Sequence, residues 1–246
     1  MTAGGFRDRV AVITGASSGI GLAIALALAG EGATLCLVGR RRDALDTVAI
    51  AAQEAGGSAF CIEADLERLD DIRRVASACS ERERVDVLVH SAGVISLAPL
   101  TSAPIGELDR LYRVNVRAPY ALTQALLPAL LRSRGQVVFV NSTAGLRDAR
   151  ANAGQYIATK HALKAIADSL REEVIGQGVR VLSLYPGRTA GPMQVALHAM
   201  EGQPYDPDRL MQPESVAAVV LNALLQPDGI EITDLRVAPS GAHRRR

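Results

Sequence analysis

Val10-Ala-Val-Ile-Thr-Gly-Ala-Ser-Ser-Gly-Ile-Gly21 is the stretch whose reading decides the fold. Its β-branched and small apolar residues predict a buried strand over 10–14. Gly15 breaks that strand, Gly19 and Gly21 follow, and an Ala/Leu/Ile-rich helical segment runs on to about Gly30. A strand, a glycine turn and a helix in this order aim backbone N–H groups and the positive end of the helix dipole at an anion. Glycine suits each step because a side chain would block the tight turn or the approach of a pyrophosphate. The spacing is Gly-x3-Gly-x-Gly, with Ser17, Ser18 and Ile20 completing the loop, rather than Gly-x-Gly-x-x-Gly. A plain turn also uses glycines, but a strand before and a helix after supply the context that a dinucleotide loop requires.

Working outward, strands and helices alternate along the chain. Further strands are expected over 34–39, 59–63, 85–90, 136–141, 180–185 and 230–237. Helices are expected over 42–55, 69–83, 104–131, 154–175 and 213–225, while 186–213, with prolines at 192, 204 and 207, reads as irregular. Repeated βα units imply an α/β fold: a doubly wound parallel sheet of about seven strands with helices on both faces. No linker, repeat or low-complexity stretch divides residues 1–246, so one domain is expected.

The bulk numbers narrow the function classes. The chain has 246 residues, 48% hydrophobic and 22% charged, with net charge +1, which gives no electrostatic case for nucleic acid or an anionic membrane. His243-Arg-Arg-Arg246 is the only basic run near an end and is expected to be a solvated tail. No apolar run is long enough for a transmembrane helix, and the first residues lack the order of a signal peptide. Cys36, Cys61 and Cys79 form no Cys-x-x-Cys pair, so they are expected to be reduced, packed thiols in a cytoplasmic protein. The four histidines are too dispersed for a metal site.

The second predicted strand runs into Gly39-Arg40-Arg41-Arg42, where a carboxylate would read the ribose hydroxyl of NAD and an arginine the 2′-phosphate of NADP. No acid stands here, and arginine in a first helical turn opposes the helix dipole, so NADP(H) is favoured, with Arg40 and Arg41 as its readers. Asp65, past the third strand, fits two roles equally: acceptor for an adenine amino group, or turn and N-cap residue. His90 ends the fourth strand and reads as a packing residue, and Ala92-Gly93 beyond it leaves room for a cofactor.

Ser142 follows the fifth strand and so stands at a carboxyl end, where open α/β sheets bind ligands. Tyr156 and Lys160 are four apart on one helix face. Carbonyl reduction needs hydride on carbon and a proton on oxygen, and a phenol with a pKa of about 10 needs a neighbouring ammonium to ionise readily. Ser142 can donate to the substrate oxygen. Asn115, between Val114 and Val116, is either a satisfied core amide or the anchor of a water leading to Lys160.

Taken together, Thr14-Gly-x3-Gly-x-Gly21, Ala92-Gly93, Asn115, Ser142, Tyr156-x3-Lys160 and Pro186-Gly187 resemble the short-chain dehydrogenase/reductase family over nearly the whole chain. The resemblance implies a Rossmann-type domain, an NAD(P)(H) cofactor and a tetrad of Asn115, Ser142, Tyr156 and Lys160, with Tyr156 as acid/base and Lys160 also on the nicotinamide ribose. It implies cofactor contacts from the glycine loop (Gly15, Ser17, Ser18, Gly19, Ile20, Gly21) and from Asp65, Leu66, Ala92, Gly93, Pro186 and Gly187. A homodimer or homotetramer assembled through the two long helices is implied too, as is preference for NADP. The chain departs from the family pattern at His90-Ser91, where the family has Asn-Asn, and at Gly191, where a threonine is common and Thr189 is the substitute expected. Its last strand also lacks the glycine pair often found there.

The expected activity is therefore NADP(H)-dependent interconversion of a small apolar carbonyl compound and its alcohol, with no nucleic-acid or membrane partner. A substrate loop is expected at about 188–212, its apolar face drawn from Met193, Val195, Leu197, Met200, Tyr205, Leu210 and Met211. The alternative is a non-catalytic NADP(H)-binding sensor or scaffold on the same fold.

Overall fold

The computed structural model describes residues 5–82, 84–146 and 150–240. The basic tail at 243–246 lies outside the described residues. Strands β1 (Val10–Thr14), β2 (Thr34–Gly39), β3 (Ser58–Glu63), β4 (Val87–His90), β5 (Gln136–Val140), β6 (Arg180–Pro186) and β7 (Asp234–Val237) pair in the order β3-β2-β1-β4-β5-β6-β7. Every pairing is parallel. This is the doubly wound sheet expected from the alternating pattern, and its order reverses between β1 and β4.

Helices α1 (Gly19–Gly30), α2 (Arg42–Glu54), α3 (Leu69–Ser80), α4 (Ile105–Tyr112), α5 (Ala118–Ser133), α6 (Gly154–Val174), α7 (Pro192–Met200) and α8 (Pro213–Leu224) fill the connections. Ile13, Leu35, Leu37 and Val89 face one core, which Ile24, Leu28, Leu45 and Val220 complete from α1, α2 and α8. Val12, Cys36, Val38, Leu88 and Phe139 face the other, with Ile72, Leu122, Leu126 and Leu163 from α3, α5 and α6. Because both faces are covered, the central strands read as continuous apolar runs rather than alternating ones.

Four expectations need correction. The helix expected over 104–131 is interrupted by a π-helical turn, Arg113–Arg117, which carries Asn115. One inserted residue re-aims a side chain while the apolar pattern on either side continues. The stretch 186–213 is not irregular throughout: Gly191 caps α7, and Pro192 occupies its first turn, where a missing N–H costs nothing. Finally, the strand expected over 230–237 is paired only from Asp234, and the helix expected over 69–83 ends at Ser80, Glu83 lying outside the described residues.

At the amino edge, Asp86 locks the two central strands together. Its Oδ2 accepts the Val10 N–H at 2.8 Å and the Arg84 Nε–H at 2.9 Å, while its own N–H bonds the Val10 carbonyl. Asp86→Ala leaves a buried N–H without an acceptor and should destabilise the fold by about 1–3 kcal/mol. Urea unfolding checks this, and an unshifted midpoint would contradict it.

Candidate active site

The carboxyl ends of β1, β4, β5 and β6 open into a cavity of about 480 Å³ beside the point where the strand order reverses. One end of its floor is held by Thr14. Its hydroxyl donates to the Val89 carbonyl at 3.3 Å and accepts the N–H groups of Ser91 and Ala92 at 3.1 and 3.2 Å. Gly15, at φ 67°, sits so close to this exit that a Cβ would lie 2.7 Å from the Ala92 nitrogen. Gly21 packs under the loop, where a Cβ would meet the Gly15 carbonyl oxygen at 2.4 Å. Gly19, at φ 56°, has open space on its Cβ side. Ser18 caps α1 without a side-chain bond, so the first N–H groups of that helix are not satisfied by the cap.

His90 and Ser91 lie at and just past the end of β4. His90 is wholly buried, with Nε2 2.7 Å from Thr123 Oγ1 and its ring stacked on Phe139. Burial lowers its pKa to about 3, so it is a neutral packing group. The bonds that fix this loop come from Thr14 instead.

The reacting groups come from β5 and α6. Ser142 Oγ accepts the Ala144 N–H at 3.1 Å, which leaves its O–H free to donate. Both Tyr156 and Lys160 are buried. Burial pushes the Tyr156 phenol up, and the Ser142 hydrogen bond partly offsets that. Burial likewise brings the Lys160 ammonium down to about 8. Lys160 Nζ lies 5.8 Å from the centre of the phenol ring and donates to the Val140 carbonyl at 3.2 Å.

Asn115 does not line the cavity. Its Oδ1 accepts the Val94 N–H at 2.9 Å, and its Nδ2 donates to the Val94 carbonyl at 2.9 Å and to Thr159 Oγ1 at 3.1 Å. Thr159 in turn donates to the Tyr156 carbonyl. The side chain is thus a satisfied core amide that joins the loop after β4 to the helix bearing Tyr156.

Of the remaining candidates, Gly15, Ser17, Ser18, Gly19, Ile20, Arg40, Asp65, Leu66, Ala92, Gly93, Pro186, Gly187 and Thr189 all line the cavity. Arg40 is exposed and has no ion-pair partner among the described residues. Arg41 is exposed at the start of α2 and does not line the cavity, and Arg42 is paired with Asp46. Asp65 keeps a turn role, its Oδ1 accepting the Glu67 N–H at 3.1 Å, while also facing the cavity. Thr189 donates to the Gly187 carbonyl at 3.2 Å. Gly191, at φ 145° and ψ 177°, lies in a region essentially closed to other residues, which accounts for the absence of a threonine there.

The structure adds residues that the sequence did not single out. Val94, Ile95, Arg110, Gln194 and Ala196 line the cavity with Met193. A helix signal at Gly191-Pro192 could have placed Gln194 and Ala196 on the wall. Nothing in the sequence marks Arg110. Of the apolar residues expected on a substrate loop, Met193 alone lines the cavity; Leu197 is buried in the fold, and Val195 and Met200 point outward. These four residues lie on α7, whose faces divide them. Among the described residues no group of His, Cys, Asp or Glu has metal-site geometry, and no helix is long and apolar enough to cross a membrane.

Comparison with known proteins points one way. A family model described as short chain dehydrogenase matches residues 9–202. A protein of Sinorhizobium fredii, described as an uncharacterized short-chain type dehydrogenase/reductase, is 35% identical over 240 residues, 96% of this chain and 93% of that one. Among solved structures, a metagenomic short-chain oxidoreductase in complex with NADP is 32% identical, with a TM-score of 0.83 and coverage of 96% and 99%. An alcohol dehydrogenase from the archaeon Thermococcus sibiricus, complexed with 5-hydroxy-NADP, is 29% identical, with a TM-score of 0.83 and coverage of 93% and 95%.

The depressed Lys160 pKa has a consequence for stability. Between about 8 and the ordinary 10.5, an unfolded chain binds a proton that the folded chain does not, so stability rises with pH across that window. Lys160→Met removes the rise. From about pH 8 to about pH 10, below the range in which the raised Tyr156 pKa adds an opposing slope, the wild type should gain up to about 3 kcal/mol on the variant. Denaturant midpoints at several pH values measure the difference, and a constant gap would contradict it.

Proposed function

The chain belongs to the short-chain dehydrogenase/reductase family, and we propose that it uses NADP(H) to interconvert a small, apolar carbonyl compound and its alcohol, with Tyr156 as acid/base. The observation that carries this is convergence: Ser142, Tyr156 and Lys160 open onto the same cavity as the glycine loop and Arg40. The cradle fits the cofactor. Gly19 leaves space that a side chain would narrow, and the uncapped start of α1 offers N–H donors to a pyrophosphate. Arg40, without an acid partner, suits a 2′-phosphate, and two solved neighbours carry NADP or its 5-hydroxy form. In this reading Asp65 and Leu66 hold the adenine end, Ala92, Gly93, Pro186, Gly187 and Thr189 flank the nicotinamide half, and Lys160 also binds its ribose.

When bound, the reduced cofactor supplies the hydride that a carbonyl carbon requires. The chain's own groups handle the oxygen. Ser142 donates to it and holds it beside the phenol, and Tyr156 gives it a proton. Burial favours the protonated phenol, the form needed for reduction. Lys160, still largely protonated near neutral pH, supports the phenolate that remains. Asn115 and Thr159 keep the loop after β4 in register with Tyr156. Residues 1–246 are read as one nucleotide-binding domain with its substrate side at 188–212, working in the cytoplasm as a homodimer or homotetramer. Val94, Ile95, Met193 and Ala196 supply the apolar wall.

The test is NADPH consumption against ketones, aldehydes, diketones, quinones and sugars. Tyr156→Phe should lower the rate by about 10²–10⁴-fold while NADPH still binds. No turnover by the wild type on any of them, with tight NADPH binding, would favour a sensor. Arg40→Asp should weaken NADPH binding by at least about tenfold more than NADH binding, the size of a lost charge-assisted contact. Equal losses for the two cofactors would refute the assignment of Arg40.

A further inference from the structure

One carboxylate ties together three segments around the mouth of the cleft. Glu201 directly follows α7, and its side chain is 13% exposed. Arg188, two residues past the end of β6, donates through Nη2 to both Glu201 oxygens at 2.7 Å. Arg150, from the stretch that follows Ser142 and the turn Thr143–Leu146, pairs with Glu201 Oε1. The strand end that bears Pro186 and Gly187, the residues just before α6 and the end of the helix over the cavity are thus joined at one point.

The rest of α7 is knitted to the same point. His198 Nδ1 bonds the Gln194 carbonyl at 2.7 Å, and its Nε2 lies 3.5 Å from Arg188 Nη1. The His198 ring meets the edge of Tyr205 at 5.5 Å, and the Tyr205 hydroxyl accepts the Gly191 N–H at 3.1 Å. Gln194, His198 and Glu201 recur at helical spacing along one side, while Pro192, Met193, Gln194 and Ala196 line the cavity. Met193 reaches far enough that its Cε lies 3.6 Å from where a Gly93 Cβ would be.

An exposed ion pair contributes little, because water and salt screen it. This one differs: the carboxylate is largely buried and shared by two partly exposed guanidinium groups. Against burial, which raises it, Arg188 and Arg150 together hold the Glu201 carboxyl below its ordinary range. We propose that Glu201 is a positioning residue for the reaction, which through Arg188 and Arg150 holds α7 down over the reacting end of the cleft and limits solvent access to it. This rests on the NADP(H) reading of the cleft only in that the reacting end is taken to be the nicotinamide end.

Two measurements on the full chain test the proposal. In amide hydrogen exchange without cofactor, Glu201→Gln should speed exchange over residues 191–205 by at least about tenfold, with β1, β4 and β5 unchanged. With NADPH bound, iodide should quench its fluorescence with a constant at least about threefold higher in the variant. A merely structural role predicts a rise spread evenly over the sheet, and that result, or no rise in 191–205, would overturn the proposal. If Glu201→Gln does not fold, Arg150→Gln removes one arm only and must give a smaller rise in the same segment; no rise there overturns it equally. Failure of NADPH to bind either protein would strike the cofactor assignment, and the exchange result would still decide the role of Glu201.

Discussion

The hydroxyl of Thr14 is the contact on which the site depends. It stands where the strand order reverses, and its three hydrogen bonds draw the exit of β4 against the end of β1. That closeness is what forbids a side chain at Gly15, and Gly21 repeats the constraint one layer down, where a Cβ would strike the Gly15 carbonyl. The glycine spacing therefore records two backbone approaches as well as a surface for phosphate. The same contact explains how the chain tolerates His90-Ser91. With the loop fixed through backbone N–H groups, His90 is free to turn into the core and pack on Phe139.

On the far side of the cavity, burial sets the chemistry. Desolvation moves Tyr156 and Lys160 in opposite directions, and in each case disfavours the charged form. Ser142, whose oxygen accepts the Ala144 N–H, partly offsets the upward push of burial on the phenol. Hydrogen bonds rather than charge also hold the frame. Asn115 grips both backbone groups of Val94 and reaches Thr159, which bonds the Tyr156 carbonyl. The proton-bearing helix and the loop at the end of β4 thus keep a fixed relation although neither side chain of the link touches the cavity.

Much of this was legible in the sequence because covered strands leave a strong trace. The apolar runs at 10–14 and 34–39 coincide with β1 and β2, and Ser142, Tyr156 and Lys160 fall together because a strand end and one helix face bring them there. What was not legible depends on geometry that residue types do not encode. A π-helical turn leaves the apolar pattern around Asn115 intact. Pro192 reads equally as a breaker or as the first residue of a helix, and Gly191 at φ 145° decides for the helix. Arg40 and Arg41 are adjacent and alike, yet only Arg40 lines the cavity. The ion pairs of Glu201 join residues 13 and 51 positions apart, a separation that local patterning does not reveal.

The proposed reaction transfers hydride between a nicotinamide and a carbonyl carbon. Its most direct measurement is turnover with NADPH carrying deuterium on the reactive face of C4, followed by mass analysis of the alcohol formed. Deuterium is expected on the carbinol carbon, with slower oxidation than for unlabelled NADPH when hydride transfer limits the rate. Alcohol formed without the label from that position would contradict it.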